Sequence, residues 1–511
     1  MNIFARWVVL AAIFFVCSPA QALDLDWSGQ FRSELHWVRK YSMDSSETGL
    51  VTDVTRNGAG GYYIRGGGER DANFETLFLR LTPKVVVNDN VYIKSEWWLG
   101  DPVFGLFGNA APYAIDQRQW YSNNSRGSSI TAQRFWGEFV SDVGTVQVGR
   151  APLNWGVGIV WNAGNGLFDR YQSTGDMIRL VSKFGSFSFM PAIIKYSLGN
   201  SIGGACQISG ATCSTVVGSG GVSDYSLALK FENPEDDFEG GINLIKRIGG
   251  DAQNGSFGFL RYGQASETGQ TGGGMVYNTW DIYARKSFGK FTFAGEIPLV
   301  SGHLGNSQYK TWAVATEAKW KPNDTWEVSG RAGQAPGQPS IIGDYPDKFR
   351  AFYFHPTYKL GLIMFNYQLA NFAGPVSLNN PTSSPENLRS PFDNPVVNAR
   401  YLSVGGTFKA DKWNFHSTLT FASADQVASA GTNHFNTWER RFRANTSGTS
   451  QSKGLGWEMD YGVKFQWDDN FQFGVDFGWY FPGEFYAFSN TTTPNATSTV
   501  FASVLSAGVN F

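Results

Sequence analysis

Trp457 to Phe481 reads WEMDYGVKFQWDDNFQFGVDFGWYF. Trp457, Met459, Tyr461, Val463, Phe465 and Trp467 alternate with Glu458, Asp460, Gly462, Lys464 and Gln466. Asp468-Asp469-Asn470 makes a short turn. Then Phe471, Phe473, Val475, Phe477, Trp479 and Phe481 alternate with Gln472, Gly474, Asp476, Gly478 and Tyr480. A period of two is the signature of a strand with two unlike faces. In a soluble sandwich the apolar face would meet a second sheet. Here nearly every strand pair along the chain repeats the pattern, and aromatics gather at strand ends. That arrangement is an apolar outer band with two aromatic girdles around a polar lumen. The expected fold is all-β: one transmembrane antiparallel β-barrel of about 18 strands (16–20), occupying residues 23–511.

Composition agrees. Only 16% of the 511 residues are charged and another 16% are aromatic, against roughly 25% charged in average soluble domains. Glycine supplies 60 residues. Mean hydropathy is nonetheless −0.24. So many aromatics and so small a net charge, −2, exclude a disordered chain. No apolar stretch is long enough for a membrane helix. A pI of 6.3 leaves no basic excess for nucleic acid.

Connections alternate in length. Short turns fall at Asn88 to Asn90, Ser141 to Gly144, Gly185, Asn233 to Asp237, Gly289, Lys321 to Asp324, Asp411 and Asp468 to Asn470. Long segments intervene, among them Asn154 to Gly175, Asn371 to Val397 and Gln426 to Gly454. Short periplasmic turns opposite long extracellular loops are the topology of outer-membrane barrels. Phe349 to Ala370, FRAFYFHPTYKLGLIMFNYQLA, reads either as an extra hairpin or as an ordered part of a long loop. Pro356 disfavours one continuous strand there, because proline cannot donate to a ladder.

Residues 1–22 read as a secretory signal peptide: Arg6, an apolar run from Trp7 to Cys17, and Ala20-Gln21-Ala22. Only Cys206 and Cys213 would remain after cleavage. In an exported protein such a pair points to one loop disulfide rather than a metal site. The chain ends on an alternating strand closing with Phe511. It resembles the C-terminal strand of Gram-negative outer-membrane barrels, where a terminal aromatic is read by the barrel-assembly machinery. The resemblance implies an outer-membrane location.

With apolar positions facing lipid, the opposite positions face the lumen. A charge on the lipid face would cost about 2–4 kcal/mol at midplane. This parity places Arg32, Glu34, Arg80, Lys94, Glu96, Arg134, Glu138, Arg179, Lys183, Asp281, Arg285, Glu327, Arg331, Glu458, Asp460, Lys464 and Asp476 inward. Lys94 with Glu96, Asp281 with Arg285, and Glu327 with Arg331 bring opposite signs together on one face. Such charges bond across strands or line a wet channel. The segment from Asn154 to Gly175 carries Trp155, Trp161 and Phe168, with Arg150 just before it. It reads as a constriction folded into the lumen or as packing at the outer rim. Asp169 and Asp176 lack the further oxygens a calcium site needs.

Gly149-Arg150 followed by Trp155-Gly156 is similar to a pattern in alginate-export-type porin barrels. Phe354-His355-Pro356-Thr357 leading to Gly361 resembles a loop segment of the same group. The likeness implies an 18-stranded outer-membrane channel, monomeric in that group although many porins are trimers. The lumen charges here are mixed, whereas an anionic polysaccharide needs a positive conduit, so alginate does not carry over. The expected function is passive diffusion of small hydrophilic solutes, with outer-membrane lipid and lipopolysaccharide as surroundings. The alternative is a surface-binding or adhesion barrel acting through its long loops, such as Gly58 to Gly68 and Asp101 to Tyr121. No cofactor and no metal are implied. An enzyme is not expected: His36, His303, His355, His416 and His434 have no nucleophile motif near them. An active-transport receptor would need a larger plugged barrel, and strand-like alternation already begins at Leu25.

Overall fold

The computed structural model describes residues 24–511 apart from 42, 44–49, 52–53, 57–61, 65–70, 101–105, 108–129, 197–221, 250–274, 305–306, 344–345, 368, 370–391, 393, 438–440, 489–493 and 495. The expected signal segment, Cys206 and Cys213, and most of the two candidate adhesive loops lie outside these residues.

The described residues form 18 spanning strands in one closed antiparallel barrel. β1 comprises Asp24–Asp26 and Gly29–Arg39, and β2 comprises Asp71–Leu81 and Lys84–Asn88. β3 is Val91–Gly100, β4 Ile130–Ser141, β5 Gly144–Pro152 and β6 Thr174–Phe184. β7 is Phe187–Lys195, β8 Val222–Asn233, β9 Phe238–Gly249 and β10 Met275–Phe288. β11 is Phe291–Leu304, β12 comprises Ser307–Trp312 and Val314–Trp320, and β13 is Trp326–Ala335. β14 is Ala399–Ala410, β15 Trp413–Ala424, β16 Gly454–Gln466, β17 Phe471–Pro482 and β18 Val500–Asn510.

Closure is made by β18 against β1, in register Gln30 to Asn510 through Arg39 to Phe501. Gly29 and Phe511 exchange both backbone bonds, at 2.7 and 3.0 Å. A side chain at Gly29 would strike the Phe511 ring, 2.5 Å from the position of its Cβ. Glycine there lets the terminal aromatic lie across the seam.

The eight short turns fall where the chemistry of Asn, Asp and Gly places them. Gly185 and Gly289 hold φ near +57°, and Asp237 and Asp411 also adopt left-handed backbone. The barrel exterior is apolar. Phe139, Val148, Ile178, Ile193, Leu229, Val404 and Leu505 all stand exposed on it. Trp27, Phe184, Phe288, Trp320, Trp326, Trp413 and Trp467 are exposed near the short-turn end, and Trp37, Trp280, Trp312 and Phe421 near the other. These are the two aromatic girdles of a membrane barrel.

Two refinements of the parity reading follow. Several aromatics point inward: Phe74, Phe78, Trp98, Tyr283, Tyr309, Tyr401 and Tyr480 are buried in the interior. Loop residues dock against Phe74, Tyr283, Tyr309, Tyr401 and Tyr480, and Phe78 and Trp98 pack edge-on against each other. Conversely Lys310 and Arg400, at the long-loop end, lie on the outer face with Trp312 and Leu402. Charges near the interface are tolerated at about 0–1 kcal/mol.

Candidate functional site

Inside the barrel the inward side chains form cross-strand networks. The Glu96 carboxylate on β3 accepts from Arg134 of β4 at 2.8 Å and from Trp98 at 2.6 Å, with Arg80 of β2 3.5 Å away. Lys94 pairs with Glu138 at 2.8 Å. Glu138 also accepts from Gln147 at 3.0 Å, and Arg179 donates to Gln147 at 2.8 Å. One polar chain thus crosses β3, β4, β5 and β6.

The three couples read from the sequence, Lys94 with Glu96, Asp281 with Arg285 and Glu327 with Arg331, do not pair with each other, although Lys230 and Glu232 do, at 2.7 Å. Lys94 chooses Glu138, not Glu96. Glu327 meets Lys321 at 3.3 Å rather than Arg331. Asp281 is buried two strand positions from Glu296's cross-strand level, while Arg285 stays exposed toward the short-turn end. Residues two apart on a strand are about 6.6 Å apart, whereas cross-strand neighbours approach to about 4.5–5.5 Å, which favours a cross-strand partner where one is present. Lys464 stays half-buried on the inner wall, and Asp476 pairs with His416 at 2.7 Å.

Among the described residues, two loops enter this interior. The first inner loop, residues 153–173, follows β5. Arg134 donates to the Ala163 carbonyl, and Arg32 of β1 donates to the carbonyls of Leu167 and Asp169 at 2.8 and 2.6 Å. Arg170 meets Glu34 at 2.7 Å. On the far wall, Glu296 of β11 accepts the backbone N–H of Gly158 at 2.9 Å, of Ile159 at 3.4 Å and of Val160 at 3.2 Å. Contacts to both β1 and β11 mean that the loop crosses the lumen. Trp155 and Trp161 are buried on the wall with Met177, Ile194, Ile245 and Tyr283. Phe168 lies against Gly508, where a Cβ would meet Leu167 at 2.5 Å.

Arg150 does not join this group. It lies on the outward face at the end of β5 and pairs with Asp176 of β6 at 2.7 Å, with half of each side chain exposed. Strand parity decides this: Ala151 points inward, so its neighbour points out. Asp176 is thereby occupied, and among the described residues no group of three or more metal-binding side chains occurs.

The second inner loop connects β13 to β14, residues 336–398. Phe349 to Ala370 is part of it, not a further hairpin. Lys348–Phe349 runs beside Gln308 and Tyr309 in parallel register, and the chain then descends. Phe354, Leu360, Ile363, Met364 and Tyr367 are at most 2% exposed. Arg331 of β13 donates to the carbonyls of Lys359 and Leu360. Glu458 accepts the N–H groups of Ile363 and Met364, and Asp460 that of Leu362 at 3.2 Å. Tyr367 bonds His36 of β1 at 2.7 Å.

The loops also touch each other. The His355 N–H donates to Ile159 at 2.8 Å, and the Thr357 hydroxyl to Tyr171 at 2.7 Å. Between them and the wall of β1 and β16 to β18 lies a cavity of about 210 Å³. Glu34, Asp169 and Asp476 line it together with Arg170, Lys359 and Lys464. Both signs of charge therefore meet in this cavity between the inner loops and the wall.

Burial, with Lys359 nearby, holds the His355 imidazole down at about 4 against an ordinary 6.5. An undocked loop would take up that proton near the ordinary value. Junction stability is therefore full above pH 6.5 and falls as pH drops from 6.5 toward 4. Single-channel recordings are expected to gain opening events between pH 7 and pH 4.5, and His355→Gln to lose that share of the dependence. An identical pH profile in His355→Gln would remove His355 as its source.

Glu296 and the loop residues Tyr367 and Arg170 were not singled out from sequence, and His355 stood there only within the resemblance segment and among the histidines without a nucleophile motif. Glu296 was legible: it alternates with Phe293 and Ile297 and so faces inward. The loop residues carried no such signal, since no periodicity says what a loop packs against.

A closed barrel with an apolar, aromatic-banded exterior and charged interior is an outer-membrane barrel of porin-like architecture. No family model and no curated protein matches this chain. Among solved structures it is similar to the outer membrane protein OprD from Pseudomonas aeruginosa, at 9% identity and a TM-score of 0.47, over 97% of this chain and 96% of that one. It is likewise similar to Pseudomonas aeruginosa OccK2 (OpdF), at 6% identity and a TM-score of 0.47, over 95% and 98%. OmpT, an outer membrane protein of Vibrio cholerae, aligns at 9% identity and a TM-score of 0.35, over 97% and 100%.

Proposed function

We propose that this chain is a narrow outer-membrane channel through which small hydrophilic solutes diffuse, sorted by size and by a lumen of mixed charge. The observation that carries the reading is the cavity between the two inner loops and the wall, with three acids and three cations around it. A ring of both signs lets compact polar solutes exchange hydration for side-chain contacts while rejecting bulky or apolar ones. Toward the short-turn end, exposed Lys183 and Arg285 suit a wet vestibule. Phe511, exposed at the seam, belongs to the same proposal as part of the segment read during barrel assembly.

The test is conductance of the purified barrel in planar bilayers with asymmetric salt. Small ohmic steps are expected. Lys464→Glu moves the lumen's charge by two units toward the negative and should shift the reversal potential toward cation selectivity. A correctly folded barrel that never conducts would sink the reading.

A further inference from the structure

The outer face carries a feature that solute passage does not use. Near the long-loop end, Trp280 of β10, Leu299 of β11 and Trp312 of β12 stand in one cross-strand row, all exposed. Lys310 lies two residues beyond Trp312 on the same face, exposed while Tyr309 and Thr311 are buried. Beside it runs Lys348–Phe349: Phe349 turns inward, and Lys348 and Arg350 stay exposed outside. Arg400 of β14 completes the group, 58% exposed. The exposed members of this group, from Trp280 and Leu299 to Lys310, Trp312, Lys348, Arg350 and Arg400, line a single cleft of about 680 Å³.

The charges are unbalanced. Arg400 is bonded to Asp425 at 2.8 Å. Among the described residues Lys310, Lys348 and Arg350 form no ion pair. The nearby exposed acid is Asp347, next in sequence to Lys348. Three cations that form no ion pair, with one exposed acid beside them, therefore sit above the row of Trp280, Leu299 and Trp312 at the level of the membrane interface. Lipid acyl chains would cover the aromatic row, and an anionic headgroup would meet the cations.

We infer that this cleft binds the phosphorylated sugar headgroup of an outer-leaflet glycolipid, lipopolysaccharide, with its phosphates on Lys310, Lys348 and Arg350. Arg350 offers a forked donor set suited to phosphate oxygens, and the two lysines supply compact charges. Arg400 is oriented by Asp425 and borders the site. The inference rests on the barrel's placement in an outer membrane and not on conduction.

The test uses the delipidated full chain in detergent. The probe is a hexa-acylated glucosamine disaccharide carrying two phosphates, with binding read by native mass spectrometry and by the rise in unfolding temperature. The wild-type barrel should bind it. Lys310→Ala/Lys348→Ala/Arg350→Ala should bind roughly tenfold more weakly or worse. Lys290→Ala/Lys321→Ala/Lys412→Ala removes the same charge from turns at the opposite rim and should bind as wild type. The dephosphorylated disaccharide should bind as weakly as the triple variant does the phosphorylated one. Arg350→Ala alone, at an exposed site, gives a partial loss and guards against misfolding of the triple variant. Equal binding by the first triple variant or by the dephosphorylated probe overturns the site. Equal protection by inorganic phosphate or by phosphatidylglycerol overturns the assignment to a glycolipid.

Discussion

Replacing residues 352–367 with a short Gly-Ser linker will raise single-channel conductance severalfold. This segment is the buried centre of the second inner loop. Phe352, Phe354, Tyr358, Leu360, Ile363, Met364 and Tyr367 make the centre of an apolar cluster that includes Tyr309, Tyr401 and Tyr480 of the wall. An unobstructed barrel of 18 strands is wide enough for an aqueous channel. The wall should survive the deletion, because its ladder bonds run strand to strand and none depends on the segment. Glu458 and Asp460 lose their backbone donors but gain water. The enlarged pore should also admit solutes that the wild type excludes. A deletion variant with full β-sheet content and heat-modifiable mobility but unchanged conductance would show that the segment does not limit flow.

The fold was legible to the extent that alternation records faces. Each short turn lies where Asn, Asp or Gly interrupts a period of two, and strand parity puts Glu458, Asp460 and Lys464 on one face, where the first two meet the second inner loop and the third lines the cavity. What alternation does not record is what fills the space enclosed. FRAFYFHPTYKLGLIMFNYQLA has no clean period because it is covered from several sides: by the wall, by the first inner loop and by its own chain. A segment buried all round has no polar face to announce its geometry. The inward aromatics Phe74, Phe78 and Trp98 failed the lipid-facing rule for the matching reason. Phe78 packs edge-on against Trp98 and under the Arg32 guanidinium, 4.8 Å from its ring centre. Arg150 was missed at the level of one residue: proximity to the loop suggested the lumen, and parity sent the side chain outside.

Glu296→Ala should unlatch the first inner loop and turn quiet channels into flickering ones, with mean conductance about twofold higher. This expectation follows from counting donors. The Glu296 carboxylate is fully buried and receives three backbone N–H groups from Gly158, Ile159 and Val160. Removing it orphans all three, and each buried unmet donor costs about 1–3 kcal/mol. The sum exceeds what a short loop recovers by staying docked, so residues 156–160 should leave the wall and take up water instead. The far half should hold, because Arg32, Arg134 and Glu34 grip residues 163–170 from other strands. The second loop should loosen with the first, since Ile159 is where His355 attaches. Gly156→Val tests the same latch from the other side. Gly156 holds φ +57°, and a Cβ there would lie 2.4 Å from the Glu296 carboxylate oxygen. Valine at that position is both strained and obstructive, so it should reproduce the flicker with the carboxylate intact. Glu296→Gln keeps one acceptor oxygen while turning an amide N–H₂ toward backbone donors, and should fall between wild type and alanine. If Glu296→Ala and Gly156→Val both give wild-type traces, the carboxylate does not latch the loop, and the arginine contacts alone must hold it.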